Sequence, residues 1–213
     1  NSILGSQDPE TGWKSYYQPL NANTVKDFRS HITGCFCCNG TGLENFAKFG
    51  ESIYSHEGDT LQVNLFIASA VRWEGKGVTL EQRTAFPAEE GTTLTVHAAS
   101  PTPFSLAVRV PGWCTEGFAV RVNGETQPVG AEPSTYATLH RTWRQGDVIE
   151  VSLPMTFSRM AMPNRATQLA FLRGPVVLAG EGARPFGSEL VADPADPSSW
   201  IHDLDRWFKP VEG

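Results

Sequence analysis

Apolar positions change their period once along this chain, near Gly58-Asp59, and the change divides it. Before that point Leu43, Phe46, Ala47, Gly50, Ile53 and Tyr54 recur at helical spacing. Glu44, Lys48 and Glu51 lie off the stripe and can pair with one another. Thr41-Gly42-Leu43-Glu44 reads as a capping box, Thr41 accepting from the first turn and Glu44 reaching back. Beyond it the period is two: Leu61/Val63/Leu65/Ile67, Val78/Leu80/Gln82, Leu94/Val96, Phe104/Leu106/Val108/Val110, Phe118/Val120/Val122 and Ile149/Val151/Leu153. Gly91, Asn123-Gly124 and Gly146-Asp147 punctuate these runs, and Asn-Gly favours a two-residue hairpin turn. Short alternating strands at this spacing predict a mainly β chain, an antiparallel β-sandwich with one face of each sheet buried.

The flanks are less regular. Gln7 through Gly12 is turn-like, and Trp13-Lys14-Ser15-Tyr16-Tyr17 suggests a short extended segment before Pro19. After about residue 180 the alternation fades. Pro185, Pro194 and Pro197, with nearby glycines, predict a loop. Trp200, Leu204, Trp207 and Phe208 then suggest a short element that docks by its apolar side. The expected organisation is a helical portion over residues 1–55, the sandwich over 56–180 and a loop and tail over 181–213. The abrupt start without Met and the open-ended tail lead to the expectation that both ends are truncated.

Composition narrows the function classes. Hydrophobic content of 40% and charged content of 19% describe an ordinary globular chain. A net charge of −6 and the lack of a long basic run argue against nucleic-acid or anionic-membrane partners. No apolar stretch reaches about 18 residues, so no membrane span is expected. Four cysteines in 213 residues do not make a disulfide scaffold, and the compartment stays open.

Three of those four cysteines fall within Gly34-Cys35-Phe36-Cys37-Cys38-Asn39-Gly40-Thr41-Gly42, just ahead of the predicted helix. A helix N-terminus favours anions, and such a setting favours thiolate, the form that attacks electrophiles and binds metal. A structural zinc site wants four ligands, often as two separated pairs, and C-x-C-C supplies only part of one. His31 could complete a local set at a spacing that matches no standard finger. Cys114 could join only through the fold. A Cys37–Cys38 disulfide would be strained. Small, buried, inert thiols remain an equal alternative on spacing alone.

Other residues favour plain readings. Trp113 more often covers a core end, and Cys114 is more often a buried filler. Trp143, flanked by Arg141 and Arg144, more often carries a cation–π contact. His97 and His140 read as half-exposed strand positions, and His31 as a structural histidine. Glu44 and Glu51 share one helix face and could form a glycosidase carboxylate pair, but capping and pairing with Lys48 explain them better.

The run from Cys35 to Tyr54 resembles the signature of glycoside hydrolase family 127, the β-L-arabinofuranosidases. The likeness extends to Ile3-Leu4-Gly5-Ser6-Gln7-Asp8-Pro9, Leu61–Ile67, Arg141–Asp147 and Leu172–Val177, and so covers about residues 1–180. It implies that the first portion closes an (α/α)6 barrel carrying the active site. There, zinc is held by three cysteines and a glutamate, and the first cysteine of the vicinal pair is the nucleophile of a retaining mechanism. By motif, Cys37 would be nucleophile and zinc ligand and Cys38 a second ligand. Cys35 matches the family's leading cysteine without an assigned role. Tyr17 is the substrate-side candidate among the aromatics.

The family's other ligands and its acid/base glutamate lie upstream of the motif, outside this chain, so the chain alone is expected to be inactive. The implied substrate is an arabinose-containing glycan, and a homodimer stays open. From a different class comes a non-catalytic carbohydrate-binding or interaction sandwich with a structural metal knot or inert thiols.

Overall fold

The computed structural model describes residues 3–16, 26–30 and 37–178, and these fall into two units. One comprises Asn1–Asn39, Met160–Ala170 and Ala179–Gly213, the other Gly40–Arg159 and Phe171–Leu178. The predicted tail over 181–213 lies outside the described residues.

In the first unit two short strands, β1 (Lys14–Ser15) and β2 (Phe28–Arg29), pair antiparallel. A turn precedes β1. Asp8 N–H donates to the Trp13 carbonyl (2.8 Å), and the Asp8 carboxylate accepts from Glu10 N–H (3.0 Å) and the Thr11 hydroxyl (2.8 Å). Gly12, at φ 71°, takes the left-handed conformation that the turn requires. The turn-like reading of residues 7–12 therefore has a hydrogen-bonded basis.

The helix α1 is Cys37–Ile53. It begins four residues before the expected cap, so Thr41 and Glu44 sit inside it and the capping box is not formed. Glu44 instead pairs with Lys48 one turn on, at 3.1 Å. That pair also replaces the expected Glu51–Lys48 contact. The apolar stripe differs from expectation too: Phe46 is 41% exposed, Ala47 and Gly50 are exposed, and among the stripe residues whose burial is described only Ile53 is buried, at 6%. Periodicity says which residues share a face. It does not say what lies opposite.

At Ile53 the helix passes directly into β3 (Tyr54–Glu57). The Ile53 carbonyl, among the last of the helix and without an intrahelical partner, accepts from Asn64 N–H (2.9 Å) and Leu65 N–H (3.4 Å). This ties the helix end to the segment after β4 (Thr60–Val63). The strands that follow are β5 (Ser69–Trp73), β6 (Val78–Arg83), β7 (Gly91–Ala98), β8 (Thr102–Val110), β9 (Ala119–Val122) and β10 (Glu125–Thr126). The last are β11 (Thr135–Trp143), β12 (Val148–Ser152), β13 (Phe157–Met162), β14 (Arg165–Arg173) and β15 (Val176–Val177).

A six-stranded sheet has the order β10-β9-β12-β7-β6-β5 and a four-stranded sheet the order β11-β8-β4-β3. A third sheet orders β13-β14-β15. The described pairings are antiparallel except one: β4 and β8 run parallel, with Leu61 opposite Leu106. The chain leaves the four-stranded sheet after β4, builds β5 to β7 in the other sheet, and returns in the same direction. Parallel neighbours require such a crossover.

The six alternating runs of the sequence fall on β4, β6, β7, β8, β9 and β12. Their inward residues, with Leu139 of β11, make one hydrophobic cluster shared by the two larger sheets, which holds Leu80, Val96 and Ile149 from one and Val63 and Leu106 from the other. Burying each such side chain contributes roughly 1.5–3 kcal/mol. Trp143 is fully buried there and its indole N–H donates to the Phe104 carbonyl at 3.0 Å. Arg141 lies 5.0 Å from its ring centroid, the cation–π contact that the flanking arginines suggested. Strands β3, β5, β11, β13 and β14 were not among the alternating runs. The described residues of β3 and β13 are largely exposed, so burial imposed no period of two on them.

Among the described residues no helix is long and apolar enough to cross a membrane.

Candidate active site

Cys37 opens α1 and its side chain is exposed. It therefore sits in the helix's first turn rather than ahead of it, and the helix macrodipole favours negative charge at that end. Its thiol donates to the phenol oxygen of Tyr16 at 3.8 Å. A phenol both donates and accepts, so when the thiol loses its proton the Tyr16 O–H can turn to donate to sulfur. Tyr16 directly follows β1, whose pairing with β2 sets the backbone there. Ser15, buried at 3%, fixes that strand's inward side.

The sequence favoured Tyr17 as the substrate-side aromatic. Tyr17 lies outside the described residues, and it is Tyr16 that meets Cys37. The available signal was the extended Trp13–Tyr17 run ahead of the cysteines. The choice between adjacent tyrosines depends on strand facing, which two residues of β1 leave open. Cys35 and His31 also lie outside the described residues. Cys38 is the second residue of α1 and its side chain is not described.

Among the described residues no three His, Cys, Asp or Glu side chains gather closely enough to hold a metal ion. Thiols at adjacent positions 37 and 38 are donors that zinc accepts, but two donors do not complete a four-coordinate site. The described residues thus do not by themselves make a zinc centre.

The remaining candidates are structural. Cys114 is 1% exposed inside the shared core, its thiol donating to the Glu116 carbonyl at 3.8 Å. Burial, and after it the Glu90 charge, pushes its pKa up. Trp113 stacks on Phe86 at 5.8 Å and 13° against the core. His97 meets Glu81 at 3.1 Å and His140 meets Ser105 at 2.7 Å. Hydrogen bonds first from Arg83 and then from His97 hold the Glu81 carboxyl below its ordinary pKa. The sequence did not mark Asp147, buried at 8% between two turns, as special. It accepts from Asn123 Nδ2 (2.9 Å) and Arg144 N–H (2.8 Å).

This mainly β chain, with a cysteine at the head of α1, is similar to GH127 proteins in both of its parts. Residues 1–51 match the model of the GH127 β-L-arabinofuranosidase catalytic domain, and residues 60–155 that of the GH127 middle domain. Over these two stretches the chain is GH127-like.

A non-reducing end β-L-arabinofuranosidase of Bifidobacterium longum subsp. longum is 28% identical over 159 residues, which is 70% of this chain and 24% of that protein. Among solved structures, a GH127 β-L-arabinofuranosidase from Geobacillus stearothermophilus T6 matches 83% of this chain with a TM-score of 0.71 at 28% identity. A structure described as a glycoside hydrolase gives the same TM-score, identity and coverage of this chain. The chain spans 30–32% of those two structures and 24% of the curated relative.

Proposed function

We propose that this chain belongs to a retaining glycoside hydrolase that removes β-L-arabinofuranosyl residues from glycans, with Cys37 as nucleophile. In this reading residues 1–55 form the closing segment of an (α/α)6 barrel, 56–180 a β-sandwich and 181–213 a connecting tail. The family match supports the reaction class. The observation that carries the residue assignment is the Cys37 thiol, exposed at the head of α1 and 3.8 Å from the Tyr16 hydroxyl.

The Cys37 thiolate attacks the anomeric carbon, a carbon–sulfur bond forms, and the bond to the leaving oxygen breaks. A carboxylic acid outside this chain protonates that oxygen and then, as carboxylate, takes a proton from the water that displaces sulfur. Two inversions retain configuration. The Tyr16 hydroxyl donates to sulfur while it is anionic and falls back to accepting once a proton returns. Zinc, with Cys37 and Cys38 as the donors this chain would contribute, would hold the sulfur deprotonated near neutral pH. In this reading the chain alone is inactive, because it spans 24–30% of these relatives and the acid and remaining ligands come from outside it.

Iodoacetamide modification followed by peptide mapping, with and without added zinc, tests the assignment on the intact enzyme of which this chain is a part. Cys37 should be modified first, and zinc should bind there and slow that modification. An intact enzyme that binds no zinc and modifies Cys37 no faster than its other thiols removes the basis for the nucleophile.

A further inference from the structure

Away from Cys37, a groove opens where the edge strands of the two larger sheets lie side by side. β3 is the last strand of the four-stranded sheet and β5 the last of the six-stranded one. The space between them is about 420 Å3, in the range of small-molecule sites. We propose that this groove is a second carbohydrate site that takes one neutral sugar ring, or two, of a glycan chain. The identity of the sugar rests on the hydrolase reading above. The preference for a neutral polyhydroxylated ring rests on the groove itself.

Tyr54 lines the groove with its hydroxyl 3.1 Å from that of Ser69, and Lys76, which follows the lining residue Gly75, pairs with the Asp59 carboxylate at 2.6 Å. The volume of about 420 Å3 suits a ring-sized ligand.

One wall is aromatic, with the His56 and Trp73 rings 5.3 Å apart and inclined by 32°. Trp73 is held in place before any ligand arrives. Phe104 packs edge-on to it at 5.7 Å, and Lys76 Nζ lies 5.8 Å from the Trp73 ring centroid. A fixed aromatic wall offers an apolar face to sugar C–H groups without an ordering cost on binding. Leu61 closes the floor.

The rim carries Arg72 and Glu74, 4.0 Å apart and largely in solvent. Their charges offset each other, so the rim attracts neither an anion nor a cation. Together they still present donors and acceptors, which is what vicinal hydroxyls require. The open side leaves room for the glycan to continue, and an open groove of this size implies binding of about millimolar strength.

The test is a titration of the full 213-residue chain with a β-L-arabinofuranosyl disaccharide and separately with cellobiose, followed through the indole N–H resonances. The Trp73 signal should shift saturably, and Arg72→Ala and His56→Ala should each weaken binding about fivefold. Arg72 is exposed, so its variant keeps the fold even if changes nearer Trp73 do not. Cys37→Ser should leave the affinity unchanged.

Four results overturn the groove: no Trp73 shift with either sugar, binding that both groove variants leave intact, binding lost with Cys37→Ser, or displacement by an extended peptide. Trp73-dependent binding of cellobiose alone upholds the groove and removes arabinose as its ligand. Trp73-dependent binding beside an inert Cys37 upholds the groove while the hydrolase reading fails.

Discussion

Cys37 and Cys114 show how far surroundings separate two identical side chains. Cys37 is exposed at a helix start beside a phenol, while Cys114 is buried in the core with its pKa raised by burial and by Glu90. A raised thiol pKa means less thiolate at any given pH, and thiolate is the reacting form. Cys114 should therefore resist iodoacetamide at neutral pH until the chain unfolds. Modification of Cys114 in the folded chain as fast as in denaturant contradicts its placement.

Asp147 makes a second residue-scale prediction. Burial pushes its pKa up, but hydrogen bonds from Asn123 and Arg144 N–H, with the charges of Arg141 and Arg144, outweigh it and leave the pKa lowered. A lowered folded pKa adds stability that is fully present above the unfolded value of about 3.9 and is lost as pH falls through the folded value. Asp147→Ala should cost about 1–3 kcal/mol at pH 7, because it strands two donors. The loss should shrink in denaturant melts as the pH is lowered below 4. A pH-independent loss would assign the effect to packing instead.

Among the elements, the turns and strands place a strong demand on one glycine. Gly91 opens β7 opposite Ser152 of β12, and a Cβ there would lie 2.7 Å from the Val151 carbonyl oxygen. Backbone cannot retreat as a side-chain tip can, so Gly91→Ala should destabilise by about 1–3 kcal/mol. A melting temperature equal to that of the parent chain would show that the β7–β12 pair has slack. The sequence marked Gly91 as a turn, whereas the fold uses it for close approach.

Asn123-Gly124 behaves as its chemistry predicts, with φ of 52° and 84° at the β9–β10 hairpin. The six alternating runs were equally legible, because a half-buried sheet imposes a period of two. The start of α1 was not. Thr41 and Glu44 carry a cap's spacing, yet the helix runs back through Gly40 to Cys37, and Glu44 finds Lys48. The parallel β4–β8 pair was also illegible, since alternation fixes a strand's faces but not its neighbours. At the site, the cysteine motif was readable and its partner was not. Choosing Tyr16 required the β1–β2 register.

At the scale of the molecule, the chain couples a cysteine-bearing helix to two sheets over one core, and two GH127 models match those parts in the same order. The account rests on Cys37 being the atom that attacks. The direct measurement is release of L-arabinose from a β-L-arabinofuranosyl disaccharide by the intact enzyme of which this chain is a part, compared with its Cys37→Ser variant. The account predicts release by the parent enzyme and a loss of roughly a thousandfold or more in the variant, with the fold intact. Arabinose release at an undiminished rate by Cys37→Ser would contradict it.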